Sequence, residues 1–302
     1  MRALIVLLVL LPVSAGLLGC EENLAPREPF GRPFSLYGVL SPDLPIQSIR
    51  LYPLEDFISL GSPKPPEVDV ASTDLHTGER RTWRDTVLVD PNGQHEYIFW
   101  SPFRAEFGHT YRVEAVRRSD GATSHAEVRI PPPVRVRLVD DRDASALQVL
   151  IEGENIRALK PEAEYAVRAA GALENDTSTV PIFHYVVSYE GRERAVEQGW
   201  QVNFNMVVDF GKLVPLYSAD IGGPLGKFCE GLALYGLELH VLVGDAVWDP
   251  PGGVFDFDIL VHPQTLSNVE NGFGFIGGGY RVAESVFPSR EAVEYACFVY
   301  VW

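Results

Sequence analysis

Apolar residues recur in this chain with a period of two, and no other feature limits the possible folds as much. Ile49 and Leu51 fall on one side of their segment, with Ser48, Arg50 and Tyr52 on the other. In "YRVEAV", Tyr111, Val113 and Ala115 alternate with Arg112 and Glu114. In "AEVRI", Ala126, Val128 and Ile130 alternate with Glu127 and Arg129. Successive strand side chains point to opposite faces, so this pattern predicts half-buried β-strands. Turn residues separate the runs: Ser41-Pro42-Asp43, Thr77-Gly78-Glu79, Pro91-Asn92-Gly93 and Ser119-Asp120-Gly121. The last of these joins two alternating runs and reads as a hairpin loop.

Alternation resumes beyond Pro131-Pro132-Pro133. The runs "VRVRLV" (134–139) and "LQVLI" (147–151) flank Asp140-Asp141-Arg142-Asp143, read as a polar hairpin loop. "VNFNMVVDF" places Val202, Phe204, Met206, Val208 and Phe210 on one face of a strand. "LELHVLV" (237–243) and "VFDFDIL" (254–260) repeat the pattern, and the apolar "YACFVYVW" reads as a strand covered on both faces. Helical signals are few. Residues 155–173 are alanine-rich and suit a short helix interrupted by Pro161, and "PSREAVEYA" suits two turns capped by Ser289.

With 23 prolines and 27 glycines spread along the sequence, elements stay short. About 280 residues remain after the first 19, more than one small core usually serves. The expected fold is mainly β, with two β-sandwich-like domains and few short helices. The first, immunoglobulin-like in size, covers 34–130; residues 131–133 are a stiff hinge; 134–302 form a second β-rich domain.

The chain opens MRALIVLLVLLPVSAGLLGC. One basic residue and a short apolar run describe a signal peptide over residues 1–19, not a spanning helix. Leu17-Leu18-Gly19-Cys20 resembles the lipobox of bacterial lipoproteins, which implies acylation at Cys20 and anchoring by lipid. Residues 21–33, polar and proline-rich, read as a tether. Glu21 and Glu22 behind the cysteine resemble the surface-export signal of Bacteroidota lipoproteins. The expected location is therefore the outer membrane, at its periplasmic face or displayed outward. A net charge of −16 argues against a nucleic-acid partner. An exported chain with Cys229 and Cys297 left as an even pair predicts a disulfide between them.

"NGFGFIGGGY" contains Gly272, Gly274 and Gly277 in the spacing of a dinucleotide-binding loop. That loop needs a helix after it, whose N-terminus meets the phosphates. Here Gly278 and Gly279 follow and disfavour a helix, so no cofactor is implied. Glycine alternating with Phe273, Phe275 and Ile276 instead suggests a strand or bulge where backbone approaches backbone. The stretch "TLSNVENGFGFIGGGY" resembles the C-terminal signature of a family of envelope lipoproteins called domain of unknown function 4249. The matching positions are Ser267, Asn268, Val269, Glu270, Gly272, Gly274 and Gly277. "FSLYGVLSPDLPIQSIRLY" and "FGHTYRVEAVRRSDGATSHAEVRIPPPV" resemble that family's N-terminal strands and its proline hinge. The resemblance implies no assigned activity; it implies an envelope protein accompanying an outer-membrane transporter.

Chemical motifs are scarce. The seven histidines include no H-E-x-x-H pair, and no G-x-S-x-G occurs. Asp256 and Asp258 share a predicted strand face and His262 follows, a set that suits either a hard cation or a solvated face. The tryptophans, Trp83, Trp100, Trp200, Trp248 and Trp302, suit sandwich core better than a ligand groove. These features favour a non-enzymatic binding or assembly module. The alternative is a secreted hydrolase whose site draws on dispersed residues such as Asp256, Asp258 and His262. One expectation is directly measurable. Non-reducing peptide mapping should join Cys229 to Cys297, and reduction should lower stability by about 3–4 kcal/mol.

Overall fold

The computed structural model describes residues 32–54, 64–91, 93, 95–170, 181–221, 231–248 and 267–302. In the first half the alternating runs form β1 (Phe34–Leu40), β2 (Gln47–Pro53), β3 (Val68–Asp74), β4 (Arg80–Thr82), β5 (Arg84–Val89), β6 (His95–Ser101), β7 (Thr110–Arg117) and β8 (Thr123–Arg129). Strands β1, β2, β6 and β5 lie side by side in one sheet; β8, β7, β3 and β4 lie in another. Their inward positions, among them Leu36, Ile49, Phe99, Tyr111, Val113 and Val128, close into one hydrophobic core. The β7–β8 hairpin turns at Gly121, whose φ of 73° suits glycine and whose N–H donates to Arg117 O at 2.9 Å.

Past the prolines come β9 (Arg135–Asp140), β10 (Leu147–Glu152), β11 (Ile156–Ala169), β12 (Phe183–Ser188), β13 (Glu193–Val196) and β14 (Gly199–Phe204). Helix α1 (Met206–Asp220), β15 (Leu232–Asp245), β16 (Val269–Glu270), β17 (Gly272–Ser285), α2 (Arg290–Tyr295) and β18 (Phe298–Tyr300) complete the described elements. A four-stranded sheet of order β13-β14-β10-β9 faces the β12-β11-β15 part of the large sheet. Between them a second core holds Val149, Ile151, Tyr165, Val202, Phe204, Leu239 and Phe298.

Three segments differ from the sequence reading. "YACFVYVW", read as a strand covered on both faces, is strand only at Phe298–Tyr300, with Tyr295 exposed at the end of α2 and Trp302 exposed beyond β18. Residues 155–173, read as a short helix, instead contribute the long strand β11. Its even side, Glu162, Glu164, Ala166 and Arg168, alternates with the buried Ala163, Tyr165 and Val167. Pro161 sits where the β11–β15 register shifts, a position at which a missing N–H breaks no ladder bond. The run "VNFNMVVDF" is strand only to Phe204. Asn205 then caps α1, accepting the N–H of Val208 on its Oδ1 at 2.9 Å. Met206, Phe210, Leu213 and Tyr217 recur at helical spacing and are buried, while Val208 is exposed. A period of two and a helical face share positions over such a short run, and the capping asparagine decides between them. The run 254–260 lies outside the described residues.

The proline run separates two cores without separating two sheets, and Pro33–Trp302 is one compact unit. Strand β17 is the reason. Its first residues, Gly272–Gly278, pair in parallel with β1; its last, Gly279–Ser285, pair antiparallel with β15. One strand thus carries the large sheet from the first core to the second. Val269 and Ile276 fill the first core and Tyr280 the second, and the Tyr280 hydroxyl donates to Pro132 O at 2.7 Å.

Glycine makes the crossing possible. A Cβ at Gly278 would overlap the Arg129 carbonyl, and one at Gly277 would overlap the buried Trp248 indole. Gly274 has φ 99° against the Leu36 carbonyl. Gly211, inside α1, has open space around it. Gly278→Ala should therefore destabilise by about 3 kcal/mol or more, whereas Gly211→Ala should stabilise by about 0.5–1 kcal/mol. Denaturant unfolding of both variants tests the contrast.

Candidate functional site

The residues matched to the family signature gather at the start of β17. The Asn268 side chain clasps Ile276: Nδ2 donates to Ile276 O at 2.7 Å, and Oδ1 accepts the Ile276 N–H at 3.0 Å. The chain reverses at Asn271, with φ 51°, and Ser124 Oγ donates to Asn271 O at 2.6 Å. Glu270 reaches His125 Nε2 at 3.0 Å from an exposed position, and Ser267 is exposed. Gly272, Gly274 and Gly277 all lie within a strand that continues to Ser285, so no helix starts at these glycines. These side chains fasten backbone to backbone.

Other residues singled out from sequence are dispersed. Cys20, Cys229, Asp256, Asp258 and His262 lie outside the described residues. Asp140 is paired with Arg142, whose guanidinium holds the carboxyl down at about 2. Asp143 accepts from Ser145, and Asp141 accepts the Ser289 N–H at 2.6 Å beside the cap of α2. The three carboxylates of that loop are thus all partnered, Asp141 by a distant segment. Trp83 and Trp248 are buried, Trp100 and Trp200 half-buried, and Trp302 is the most exposed of the five. Among the described residues, no group of three or more His, Cys, Asp or Glu side chains is placed to hold a metal ion. No described helix is long and apolar enough to cross a membrane.

What the structure assembles, and sequence reading missed, lies on the outer face of β12, β11 and β15. The sides of β11 and β15 carrying Tyr165 and Leu239 face the core, so the intervening residues face outward. There Glu164 stands between two histidines, with Oε1 2.7 Å from His184 Nδ1 and Oε2 3.0 Å from His240 Nε2. An ionised carboxylate only accepts, so His184 supplies the proton in its contact, whereas His240 Nε2 is near Glu164 without hydrogen-bond geometry. Cross-strand register puts Glu238 directly opposite Glu164, and Ser285 beyond it on β17. A pocket of about 150 Å³ opens here, walled by Glu164, His184, Tyr235, Glu238, Ser285 and Phe287, with Ala166, Gly236 and Leu237 at its base. The alternation of Glu162, Glu164 and Ala166 around Ala163, Tyr165 and Val167 was the available signal. It was obscured by the alanine-rich composition of the run.

Three described carboxyls lie buried elsewhere, Asp74, Asp209 and Asp245. Asp209, fully enclosed at the start of α1, accepts the Tyr165 hydroxyl at 2.6 Å and the Tyr189 hydroxyl, with Lys212 Nζ 3.5 Å away. Burial, with the Asp209 charge alongside, pushes both tyrosines well above their ordinary value. This network pins the helix to β11 and the end of β12. Asp245, at the end of β15, is raised to about 6 by burial, against the opposing pull of the Val247, Arg129 and Trp248 N–H groups.

Among known proteins, the chain matches no family model and no curated sequence. What the pocket does is therefore read from its own chemistry.

Asp245 gives a pH test. Its folded-state value lies above the ordinary 3.8, so the protonated form favours folding. The associated stability is fully present below about pH 4 and is lost as pH rises through about 6, a change on the order of 2–3 kcal/mol. Asp245→Asn keeps an amide oxygen for the Val247 N–H and should flatten that slope. Denaturation midpoints between pH 4 and 6.5 check it; parallel curves for the two proteins would exclude the effect.

Proposed function

We propose that the protein is a lipid-anchored binding module of the cell envelope, akin to the lipoprotein family its sequence resembles, acting by recognition rather than turnover. The observation that carries the binding reading is the outward pocket on β11, β15 and β17. Its Glu164, His184, Glu238 and Ser285 come from adjacent strands of one hydrogen-bonded sheet, so their spacing is set before any ligand arrives. Preformed concave sites with a few fixed polar groups are the usual form of ligand recognition.

Lipid attachment at Cys20 and outer-membrane residence are proposed from the lipobox, with an outer-membrane transporter or another envelope component as partner. The Cys229–Cys297 bridge belongs to the same proposal. In its support, Cys229 and Cys297 are the two cysteines of the sequence beyond Cys20.

Cys20→Ser is the decisive variant. Intact-mass analysis of the native protein should find a chain beginning at Cys20 with diacylglycerol on its sulfur. Cys20→Ser should lose that mass and leave the membrane fraction. A native chain that keeps its first 19 residues, or a variant that stays with the outer membrane, would overturn the anchor.

A further inference from the structure

We propose that the pocket between β11, β15 and β17 binds an organic cation, an alkylammonium or guanidinium group, with Glu238 as counter-charge and Phe287 as aromatic wall. This rests on the binding-module reading and adds the chemistry of the ligand.

Cross-strand register supplies the first reason. Glu164 and Glu238 are direct partners in the antiparallel β11–β15 pair, and like charges placed so oppose each other. Glu164 is answered by His184, with His240 Nε2 3.0 Å from its other oxygen. Glu238 is half-buried and has no side-chain hydrogen bond or ion pair among the described residues. The nine residues lining the pocket include no lysine or arginine. A sheet face that keeps an unanswered carboxylate opposite another, inside a concavity, is completed by a positive group from outside.

The aromatic wall is the second reason, independent of the carboxylates. Phe287 is 69% exposed yet fixed, edge-on to Trp302 with centroids 5.8 Å apart. Trp302 is itself held by Nε1 donating to Tyr235 O at 2.9 Å and by contact with Tyr300. An exposed ring braced in this way, instead of folded into the core, stands at the pocket wall. Rings so placed attract cations through their quadrupole. The same aromatic group already receives one, since the Arg290 guanidinium lies 5.2 Å from the Tyr300 centroid.

Size is the third. The 150 Å³ is well under the ~300–1,000 Å³ of drug-sized sites. One cationic head on a short apolar stem fits that space. A neutral sugar ring would bring no counter-charge to Glu238.

The full chain in detergent micelles is titrated calorimetrically with n-butylammonium and n-butylguanidinium, and with n-butanol and methyl glucoside as neutral probes. The cations should bind and the neutral probes should not, with affinity falling as salt rises. Glu238→Gln, which keeps the side-chain shape, should weaken cation binding at least about fivefold. It should also raise the thermal midpoint of the unliganded protein by removing the opposed charge. Phe287→Ala should weaken the cations and, through the lost contact with Trp302, lower that midpoint slightly instead of raising it. A glycyl-lysyl-glycine amide that outbinds butylammonium would mark the source as a basic side chain of a protein partner; the reverse order would mark a free small amine. The proposal is overturned if neither cation binds, if a neutral probe binds as tightly, or if Glu238→Gln leaves affinity unchanged. Those failures leave the lipid anchor and the Cys20 result untouched, so the two readings fail separately.

Discussion

Between Gly272 and Gly279 the backbone of β17 must pass the Leu36 carbonyl on one side and the Arg129 carbonyl and Trp248 indole on others, at distances that leave no room for Cβ atoms. This close approach joins the two halves of the molecule. Without it β1 would lose its parallel neighbour, the first core would lose Val269 and Ile276, and β15 would become a sheet edge. Packed interiors tolerate little added volume, so the crossing depends on residues with no side chain at the contact. Phe275 and Ile276, between the glycines, fill the space on either side of the crossing strand.

Polar groups do the fastening around this crossing, each by satisfying donors and acceptors that burial would otherwise strand. Asn268 offers Ile276 both a donor and an acceptor, in effect a one-residue extension of the sheet. Gln47 does the same for the turn after β1. It accepts the Ser41 N–H and donates to the Ser41, Leu44 and Phe103 carbonyls while fully buried. Asp209 closes the helix side by receiving two tyrosine hydroxyls. In each case one side chain answers several groups from distant segments, which favours a single arrangement of those segments over near alternatives.

The same rigidity bears on recognition. A sheet sets side-chain spacing through backbone register, so the pocket residues are held without being buried. Glu164, Glu238 and Ser285 stand in one row across three strands because of ladder bonds, not because of attraction among the side chains. A surface can therefore hold an electrostatically unfavourable pair in place, at a cost covered by the core beneath.

Much of the strand content was legible in the residues. Period-two runs at 49–51, 111–115, 126–130 and 237–243 became strands because one face had to be buried, and turn residues marked their ends. The cap at Ser289 and the glycine-rich strand were equally local, set by side-chain chemistry and by the absence of a side chain. Residues 155–173 and 202–210 were not, since short runs satisfy two periods at once and only strand neighbours on both sides, or an asparagine cap, choose between them. The pocket was less legible still. Glu164, His184, Glu238 and Phe287 lie up to 123 positions apart, in strands whose pairing no local pattern states. Sequence by itself determined which segments are extended and where backbone must come close, because those follow from side-chain size and spacing. Tertiary structure decided which strands are neighbours, and so which charges and rings share one face, because register is a property of pairs and no single strand contains it.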